Sequence, residues 1–436
     1  MQTLNRRQFG GILSGAAGLA ASAGFGSFAI AQRRGRVVIV GGGPGGATVA
    51  HYVKKGSPNL DVTLVEVRST YTTCFFSNLY LGGFRSYDSL VHSYDGLRAL
   101  GVKVVNATAT DVDTSKKLVK LGGGATLAYD QLVLSPGIDF KWESVPGYSA
   151  EIANTMPHAY KAGTQTLLLK RQLTAMPDGG VVVMVAPPAP YRCPPGPYER
   201  MCMIGHYLKT HKPKSKLIVL DPKKDIISKG PVFREAFEKH YKGIIELNLS
   251  NDLDSFAVER IDPKTKEIKT KAGKTVKAAV ANIIPAQKAG EIAFKAGTTE
   301  GDWCPVNPAD FSSRKVKDVY VLGDASIAGQ MPKSGFSANS QAKVVANAIE
   351  ASLAGKQKFP ARYRNTCWSM LSPDNSVKVG ANYKAEDLTA VDGFVSKVGE
   401  DAGLRKQTFA ESIGWYDGIV ADTFAKPAAK ASARKG

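Results

Sequence analysis

The sequence predicts an α/β fold in which two dinucleotide-binding domains are followed by a C-terminal interface domain. Three observations predict it: a glycine fingerprint behind an apolar strand near residue 40, a second apolar strand at Val181–Val185, and a third at residues 319–325 that ends in Gly-Asp. Apolar strands alternating with helical stretches are typical of parallel sheets covered by helices. A chain of 436 residues is also too long for one hydrophobic core and indicates two or three domains.

The fingerprint lies in RVVIVGGGPGG, where Gly41, Gly43 and Gly46 have the G-x-G-x-x-G spacing. A helical stretch follows, and a second strand at residues 62–65 ends at Glu66, 20 residues after Gly46 (66 − 46). The glycines allow a tight turn and a close approach to a pyrophosphate, and an acid in this place meets a ribose hydroxyl. A lone glycine motif is a weak signal, but the whole succession of elements predicts a dinucleotide site.

Two later segments select FAD for this site. Residues 129–137, YDQLVLSPG, and residues 319–325, VYVLGDA, are similar to the "ATG" and "GD" segments of flavoproteins that have two dinucleotide domains. The Gly-Asp carboxylate of such proteins binds the ribityl–pyrophosphate region of FAD, which makes Asp324 the candidate. The alternative is that Gly-Asp merely caps a turn. A helix predicted over residues 337–353 would direct its N-terminus at the flavin ring.

The second domain lacks the features that hold a nucleotide. Its first strand continues into APPAPYRCPPGPYER at residues 186–200, where prolines stand in place of glycines. Proline has no N–H group to offer a phosphate, so this loop is not expected to bind NAD(P)H. Cys193 takes the place of the nicotinamide, which suggests that a sulfur reaction supplies the electrons. Arg192 and the start of a helix near Tyr198 should lower the pKa of this thiol.

Charge and cysteine content indicate which partners and which kinds of site to expect. The formal net charge is +19, but the lysines are scattered without the interleaved aromatic residues of a nucleic-acid groove, so no nucleic-acid partner is expected. Solvated surface lysines and an acidic protein partner both stay open. No C-x-x-C or Cys/His cluster suggests a metal site. The number of cysteines is odd, so at least one is outside any intramolecular disulfide, and Cys74 is the natural candidate. Cys202 and Cys304 are interpreted as buried structural thiols.

The first 31 residues are predicted to be an export signal. Arg6 and Arg7, followed by Phe9, precede a weakly hydrophobic stretch and a small-x-small cleavage site, which indicates the twin-arginine route to the periplasm. The alternative is a membrane anchor, although the apolar run is short and rich in glycine. No stable membrane insertion is expected elsewhere. A periplasmic location permits disulfides.

From residue 36 to about residue 424 the chain resembles the flavoprotein subunit of flavocytochrome c sulfide dehydrogenase, a sulfide:cytochrome c oxidoreductase. The resemblance is carried by these segments: YTTCFFSN, YRCPPGPYER, GDWCPV, GDASIAGQMPKSGFSANSQ and NTCWSML. It implies that Cys74 holds FAD covalently, that Cys193 and Cys367 form a redox-active disulfide beside the flavin, and that Glu199 is the acid near the disulfide. Two interpretations of Glu199 stay open: it is a proton acceptor, or it is an ordinary surface or salt-bridging residue.

The resemblance also implies an organisation and an activity. The expected domains are residues 33–150 with 280–352 (FAD-binding), 151–279 (degenerate NAD-binding-like) and 353–436 (C-terminal interface domain, carrying Cys367). Sulfide would be oxidised to sulfur or polysulfide, and the electrons would pass to a c-type cytochrome subunit in a heterodimer. The haem would lie on that subunit, because the sequence has no C-x-x-C-H motif. The alternatives are a membrane-associated sulfide:quinone oxidoreductase and a non-catalytic accessory flavoprotein of a sulfur-oxidation system.

Overall fold

The computed structural model describes residues 35–250 and 258–426. The predicted export signal lies outside these residues. Within them, no helix combines the length and the apolar content that crossing a membrane requires.

The first domain is built on a five-stranded parallel sheet. Its strands lie in the order Val319–Val321, Gln131–Leu134, Arg36–Val40, Asp61–Val65 and Lys103–Val105. Val40 is in register with both Val65 and Leu134, so these strands end at the same edge of the sheet. The segments that follow them therefore meet there, which is where α/β sheets bind their ligands.

Two long helices complete this domain. Helix Pro44–Gly56 follows the glycine turn, and helix Gly335–Ala354 packs against it. The second helix begins two residues earlier than the sequence predicts, because Ser334 caps it: the Ser334 hydroxyl accepts a hydrogen bond of 3.0 Å from the N–H of Ser337.

Shorter elements surround the sheet. They are the antiparallel strands Ala109–Asp113, Leu118–Leu121 and Thr126–Ala128, the paired strands Thr70–Thr72 and Val91–Ser93, the parallel pair Cys304–Pro305 and Ser326–Ile327, the helices Ser77–Gly82, Asp95–Ala99 and Glu291–Lys295, and the 3-10 turns Asp88–Leu90, Trp142–Ser144, Ile152–Asn154 and Gly323–Ala325.

The central domain has a four-stranded parallel sheet. The strands lie in the order Ile245–Leu249, Lys216–Asp221, Val181–Val185 and Val280–Ile283. Helices Thr164–Ala175, Gly196–His211 and Gly230–Tyr241 belong to it, together with the antiparallel strands Val258–Asp262, Glu267–Thr270 and Thr275–Lys277. The strand predicted here from sequence, at residues 181–185, is present.

One predicted domain boundary differs from the structure. Residues 280–283 were expected to open the second segment of the FAD domain, but Val280–Ile283 pairs with Val181–Val185 and completes the central sheet. The chain returns to the first domain at Ala286–Ala289, which pairs antiparallel with Ile138–Lys141. A short buried apolar strand fits the interior of either sheet equally well, so its sequence does not say which one it joins.

The C-terminal domain is a three-stranded antiparallel sheet with one long helix. Strands Tyr363–Ser372, Asn375–Tyr383 and Ala390–Val395 pair in that order. Helix Ala402–Phe424 packs on the middle strand and on helix Pro44–Gly56 of the first domain. This arrangement carries Cys367, in the first of the three strands, back towards the carboxyl edge of the five-stranded sheet.

Candidate active site

A large cavity lies at the carboxyl edge of the five-stranded sheet. Its volume is about 490 Å³. Gly41, Gly43, Glu66, Cys74 and Asp324 all lie in its wall, so the fold brings together five of the six residues that the sequence assigns to the cofactor.

The glycines of the fingerprint are required by close backbone contacts. Gly41 has φ +104°, and a Cβ atom on it would lie 2.2 Å from the carbonyl oxygen of Ser135. Gly46, the sixth predicted residue, stands behind the cavity wall. A Cβ atom there would lie 2.0 Å from the carbonyl oxygen of Gly41, so this glycine lets helix Pro44–Gly56 approach the turn.

Glu66 lies at the end of the second strand, as the sequence predicts. Its carboxylate accepts a hydrogen bond of 2.8 Å from the N–H of Gly42 and one of 3.1 Å from the N–H of Arg68. The carboxylate is thereby fixed in the cavity wall, in the place from which an acid contacts a ribose.

Asp324 lies on the opposite side of the cavity, in the 3-10 turn Gly323–Ala325. Its carboxylate oxygen Oδ2 is 3.5 Å from the guanidinium of Arg192. Among the described residues its other oxygen, Oδ1, is buried without a hydrogen-bond partner. Burial raises the pKa of Asp324, and the Arg192 guanidinium acts against this rise.

These features fit FAD. Helices Pro44–Gly56 and Gly335–Ala354 both begin at the cavity, and the first has Gly43 at its cap, with no side chain to occupy its free N–H groups. Exposed N–H groups at helix N-termini bind phosphates. The unpartnered oxygen of Asp324 supplies an acceptor for the hydroxyl groups of a ribityl chain, as Glu66 does for a ribose.

A second cavity, of about 90 Å³, adjoins the first. Cys193, Cys367 and Glu199, the three predicted catalytic residues, all lie in its wall. Cys74 and Arg192 belong to the walls of both cavities. The thiols predicted to react with the substrate therefore lie next to the site predicted to hold the flavin.

Cys193 is fixed by the proline-rich loop that ends just before helix Gly196–His211. It has φ +57°, its N–H donates to the carbonyl of Lys333 at 2.8 Å, and its carbonyl accepts from the N–H of Gly196 at 2.7 Å. Burial raises the pKa of the Cys193 thiol well above its usual value, and Cys367 and Glu199 raise it further. The expectation of a lowered pKa is therefore wrong for the free thiol, since desolvation outweighs nearby positive charge.

Cys367 lies in the middle of strand Tyr363–Ser372. The side-chain amide of Asn365 donates to its sulfur at 3.4 Å, and the ammonium of Lys229 donates to its carbonyl at 3.0 Å. Burial raises the pKa of the Cys367 thiol, while the positive charge of Lys229 and the hydrogen bond from Asn365 oppose the rise.

All five cysteines are free thiols in the structure, so the expected Cys193–Cys367 disulfide is not formed in it. The pairing stays a prediction, supported by the position of both residues in one cavity wall. Cys202 and Cys304 are fully buried away from this wall, as expected of structural thiols.

Glu199 is held by two hydrogen bonds. Its carboxylate accepts from the side-chain amide of Asn78 at 2.8 Å and from the N–H of Met370 at 3.0 Å. Burial raises the pKa of Glu199, and these two hydrogen bonds act in the opposite direction. A carboxylate with a raised pKa, in a wall that also holds two thiols, is a stronger proton acceptor than an ordinary carboxylate.

Three family models match the chain. "Sulfide dehydrogenase [flavocytochrome c] flavoprotein chain, central" matches residues 166–285, "Flavocytochrome c sulphide dehydrogenase, flavin-binding" matches residues 359–424, and "Pyridine nucleotide-disulphide oxidoreductase" matches residues 35–178. The chain is also 56% identical over 43 residues to the sulfide dehydrogenase [flavocytochrome c] flavoprotein chain of Chlorobaculum thiosulfatiphilum, a match that covers 90% of that sequence and 10% of this one. The chain belongs to this flavoprotein family.

More distant relatives span more of the chain. The mitochondrial sulfide:quinone oxidoreductase of Dictyostelium discoideum is 25% identical over 301 residues, covering 67% of this chain and 65% of that protein. The sulfide-quinone reductase of Aquifex aeolicus is 24% identical over 416 residues, 89% of this chain and 93% of that one.

Solved structures confirm the predicted fold class. The sulfide:quinone oxidoreductase structure from Aquifex aeolicus superposes with a TM-score of 0.66 at 20% identity, covering 90% of this chain and 92% of that one. A putidaredoxin reductase in complex with putidaredoxin gives 0.64 at 19% identity, covering 80% and 81%.

A second feature of the central domain supports the prediction that it holds no nucleotide. Asp221 ends its second strand, where a ribose-binding acid would stand. There its carboxylate is ion-paired with Lys223 and accepts a hydrogen bond of 2.9 Å from the hydroxyl of Tyr198. Lys223 also donates to the carbonyl of Pro187 at 2.7 Å. The acid and the lysine are both buried, so neither is available to a nucleotide.

Sequence reasoning missed Arg200, a buried cation in the wall of the second cavity. It is 3% exposed, and its guanidinium donates to the side-chain oxygens of Asn78 and Asn282 and to the carbonyls of His158 and Ala159, at 2.7 to 3.1 Å. Asn78 in turn donates to Glu199, so Arg200 holds in place the side chain that binds the Glu199 carboxylate. No local pattern around Arg200 indicates these contacts, because three of the four partners lie 41 to 122 residues earlier in the chain and Asn282 lies 82 residues later.

Proposed function

We propose that this protein is the flavoprotein subunit of a periplasmic sulfide dehydrogenase that oxidises sulfide to sulfur or polysulfide and passes the electrons to a c-type cytochrome subunit. The observation that carries the proposal is the shared wall of the two cavities: Cys193, Cys367 and Glu199 lie in the smaller one, and Cys74 lies in both. Family membership supports the same activity.

In its oxidised state the protein would hold Cys193 and Cys367 as a disulfide. Hydrosulfide is a good nucleophile and attacks one sulfur of such a bond. The S–S bond breaks, a persulfide forms on one cysteine, and the bonding electron pair stays on the other as a thiolate. Glu199 would accept the proton that the persulfide releases, because its carboxylate lies in the wall of the same cavity.

FAD would be held by Gly41, Gly43, Glu66 and Asp324, which line the larger cavity. A second hydrosulfide would carry off the outer sulfur of the persulfide as a polysulfide and leave a second thiolate. Bound in the larger cavity, FAD would supply an acceptor for the two electrons released when the two cysteine sulfurs bond again, and one that passes them on singly, which a haem requires. The protein contributes the placement of the two cysteines in one cavity wall, next to the site proposed for the flavin.

A cytochrome is the proposed acceptor, and a quinone is the second candidate. The family name and the absence of a C-x-x-C-H motif from the sequence favour a haem carried by a separate subunit. The net charge of +19 suits an acidic partner. The quinone is kept because two relatives at 24% and 25% identity carry sulfide:quinone names.

The test is stepwise reduction without oxygen. Sulfide should bleach the flavin absorbance of the purified protein within seconds, and a c-type cytochrome should then restore it faster than a water-soluble quinone does. NADH at the same concentration should leave the flavin oxidised, since Asp221 is ion-paired and the loop at residues 186–197 has no glycine turn. Rapid bleaching by NADH, or none by sulfide, contradicts the proposal.

We expect FAD to be attached covalently to Cys74, which lies in the walls of both cavities. Acid precipitation of the wild-type protein should leave the yellow colour in the pellet. Cys74→Ala should release the flavin into the supernatant while the protein still binds it through the glycine turn. Release of all the colour from the wild type would show that the thiol only packs beside the cofactor.

We propose that residues 1–31 direct export to the periplasm by the twin-arginine route, on the basis of Arg6, Arg7 and Phe9. The double variant Arg6→Lys, Arg7→Lys should keep the precursor in the cytoplasm, because lysine does not replace the paired arginines in this signal. Cell fractionation measures the outcome. A normal amount of periplasmic activity from the variant would rule this route out.

A further inference from the structure

Lys229 is a buried cation that the steps above do not use. It stands immediately before helix Gly230–Tyr241, with φ +56°, and is 5% exposed. Its ammonium donates to the carbonyl of Cys367 at 3.0 Å and to the hydroxyl of Ser369 at 2.8 Å. Within residues 35–250 and 258–426 it forms no ion pair with a carboxylate. A buried charge without a counter-ion is costly, so it needs a compensating negative charge nearby.

The groups that can supply negative charge face Lys229 from different elements. Cys367 lies on strand Tyr363–Ser372, Cys193 on the proline-rich loop and Glu199 on helix Gly196–His211, and all three raise the pKa of Lys229. Burial acts more strongly in the other direction and lowers that pKa to about 8. The ammonium is therefore charged at neutral pH, and a thiolate on Cys367 would keep it charged to higher pH, because that thiolate raises the pKa of Lys229.

We propose that Lys229 is a positioning residue whose buried ammonium stabilises a thiolate on Cys367 once the Cys193–Cys367 pair is reduced. Hydrosulfide brings one negative charge into the cavity, and after it has cleaved the disulfide that charge lies on a cysteine sulfur. The ammonium of Lys229 supplies one positive charge to match it. The proposal rests on the proposed function only for the source of the reducing electrons.

Cys367 is the sulfur on which this charge is best held. Besides Lys229, the amides and hydroxyls near it are donors: Asn365 donates to its sulfur, and Ser334 also favours the thiolate. Cys193 has Cys367, Glu199 and Cys74 among its neighbours, and all three disfavour a thiolate there, whereas Glu199 is the neighbour that also disfavours one on Cys367. Tyr383, on the adjacent strand, is a further titratable group close to Cys367, and burial raises the pKa of its hydroxyl to about 12, so it is neutral.

The test measures the acidity of Cys367 directly. The FAD-loaded protein is reduced with a phosphine, treated briefly with iodoacetamide over a range of pH, and the alkylation of the Cys367 peptide is quantified by mass spectrometry. The variant Lys229→Gln keeps N–H donors for the carbonyl and the hydroxyl but removes the charge. We expect its alkylation midpoint to rise by about one pH unit, which is roughly tenfold slower alkylation below both midpoints.

Two controls separate charge from structure. Lys229→Arg keeps the charge and should stay near the wild-type midpoint, and Ser369→Ala removes one partner of the ammonium without removing the charge and should do the same. An unchanged midpoint in Lys229→Gln, or an equal shift in Ser369→Ala, would overturn the proposal. Lys229→Met provides the same comparison where the glutamine variant folds poorly. Because a phosphine reduces the pair, a protein that sulfide fails to reduce would contradict the proposed function and leave this result standing.

Discussion

Alanine in place of Cys193 or Cys367 should abolish the reduction of the bound flavin by sulfide and leave a folded, yellow protein. Either change removes the S–S bond that hydrosulfide attacks, so no persulfide and no thiolate can form. We expect the rate of sulfide-driven bleaching to fall by roughly 10³-fold or more in each single variant. The double variant should be no slower than either single one, because the two sulfurs act as one unit and their effects do not add.

Cys202→Ala is the matched control. Cys202 is fully buried in helix Gly196–His211 and does not lie in the wall of either cavity. Its replacement should lower stability moderately, as a lost core contact does, and leave the rate of bleaching per folded molecule unchanged. Stopped-flow absorbance at the flavin band, normalised to flavin content, measures all four proteins. Near-normal rates in Cys193→Ala and Cys367→Ala would contradict the proposed chemistry.

A purely structural bridge gives a different result. Cys193 and Cys367 are 174 residues apart (367 − 193), and a cross-link over a loop of that length would restrict the unfolded chain considerably. If that were its role, each alanine variant would unfold at a lower temperature under oxidising conditions, while sulfide still bleached the molecules that remain folded. The proposed role requires loss of bleaching in protein whose melting temperature has changed little.

The first dinucleotide site could be predicted in detail because backbone geometry fixes its residues. Gly41 and Gly46 tolerate no Cβ atom, as contacts of 2.2 Å and 2.0 Å show, and Glu66 must end the next strand to reach the turn. These requirements are local and act within about 25 residues of chain, so they leave a pattern that can be read directly. The structure places five of the six predicted residues in one wall and the sixth just behind it.

The fold of the central domain could be predicted from the sequence, but its C-terminal boundary could not. The loss of glycines after Val181–Val185 predicts that this domain holds no nucleotide. The ion pair of Asp221 with Lys223, which the strand pattern did not reveal, supports that prediction. The boundary predicted at residue 280 leaves Val280–Ile283 outside the central domain, although this strand completes the central sheet, because a short buried strand does not indicate which sheet it joins.

The electrostatics of the smaller cavity could not be predicted, since they depend on burial and on long-range contacts. The thiol of Cys193 was expected to have a lowered pKa from the arginine before it and the helix after it, and burial reverses this. Lys229 binds Cys367, which lies 138 residues later in the sequence, and Asn78 binds Glu199, which lies 121 residues later. Each is an ordinary residue in its own segment and acquires its place only when three domains pack together.

Arg200→Met should be the most destabilising single substitution around this cavity. Methionine fills similar space but leaves the oxygens of Asn78 and Asn282 and the carbonyls of His158 and Ala159 without the donor they share. One unsatisfied buried acceptor costs about 1–3 kcal/mol, so we expect the free energy of unfolding to fall by about 3 kcal/mol or more. Urea denaturation followed by tryptophan fluorescence measures the change.

Arg171→Met is the control for this prediction. Arg171 is exposed on helix Thr164–Ala175, so its replacement should change the free energy of unfolding by no more than about 0.5 kcal/mol.

A second readout tests whether Arg200 also positions Glu199. Arg200 holds the side-chain oxygen of Asn78, so that the amide of Asn78 points at the Glu199 carboxylate. Without the arginine the amide is free to turn, and the acidic limb of the pH profile for sulfide-driven bleaching should move to higher pH, since Glu199 then loses a hydrogen bond that favours its charged form. A destabilised Arg200→Met protein with an unchanged pH profile would assign this residue to the fold alone, and equal stability in both methionine variants would show that the buried acceptors find other donors.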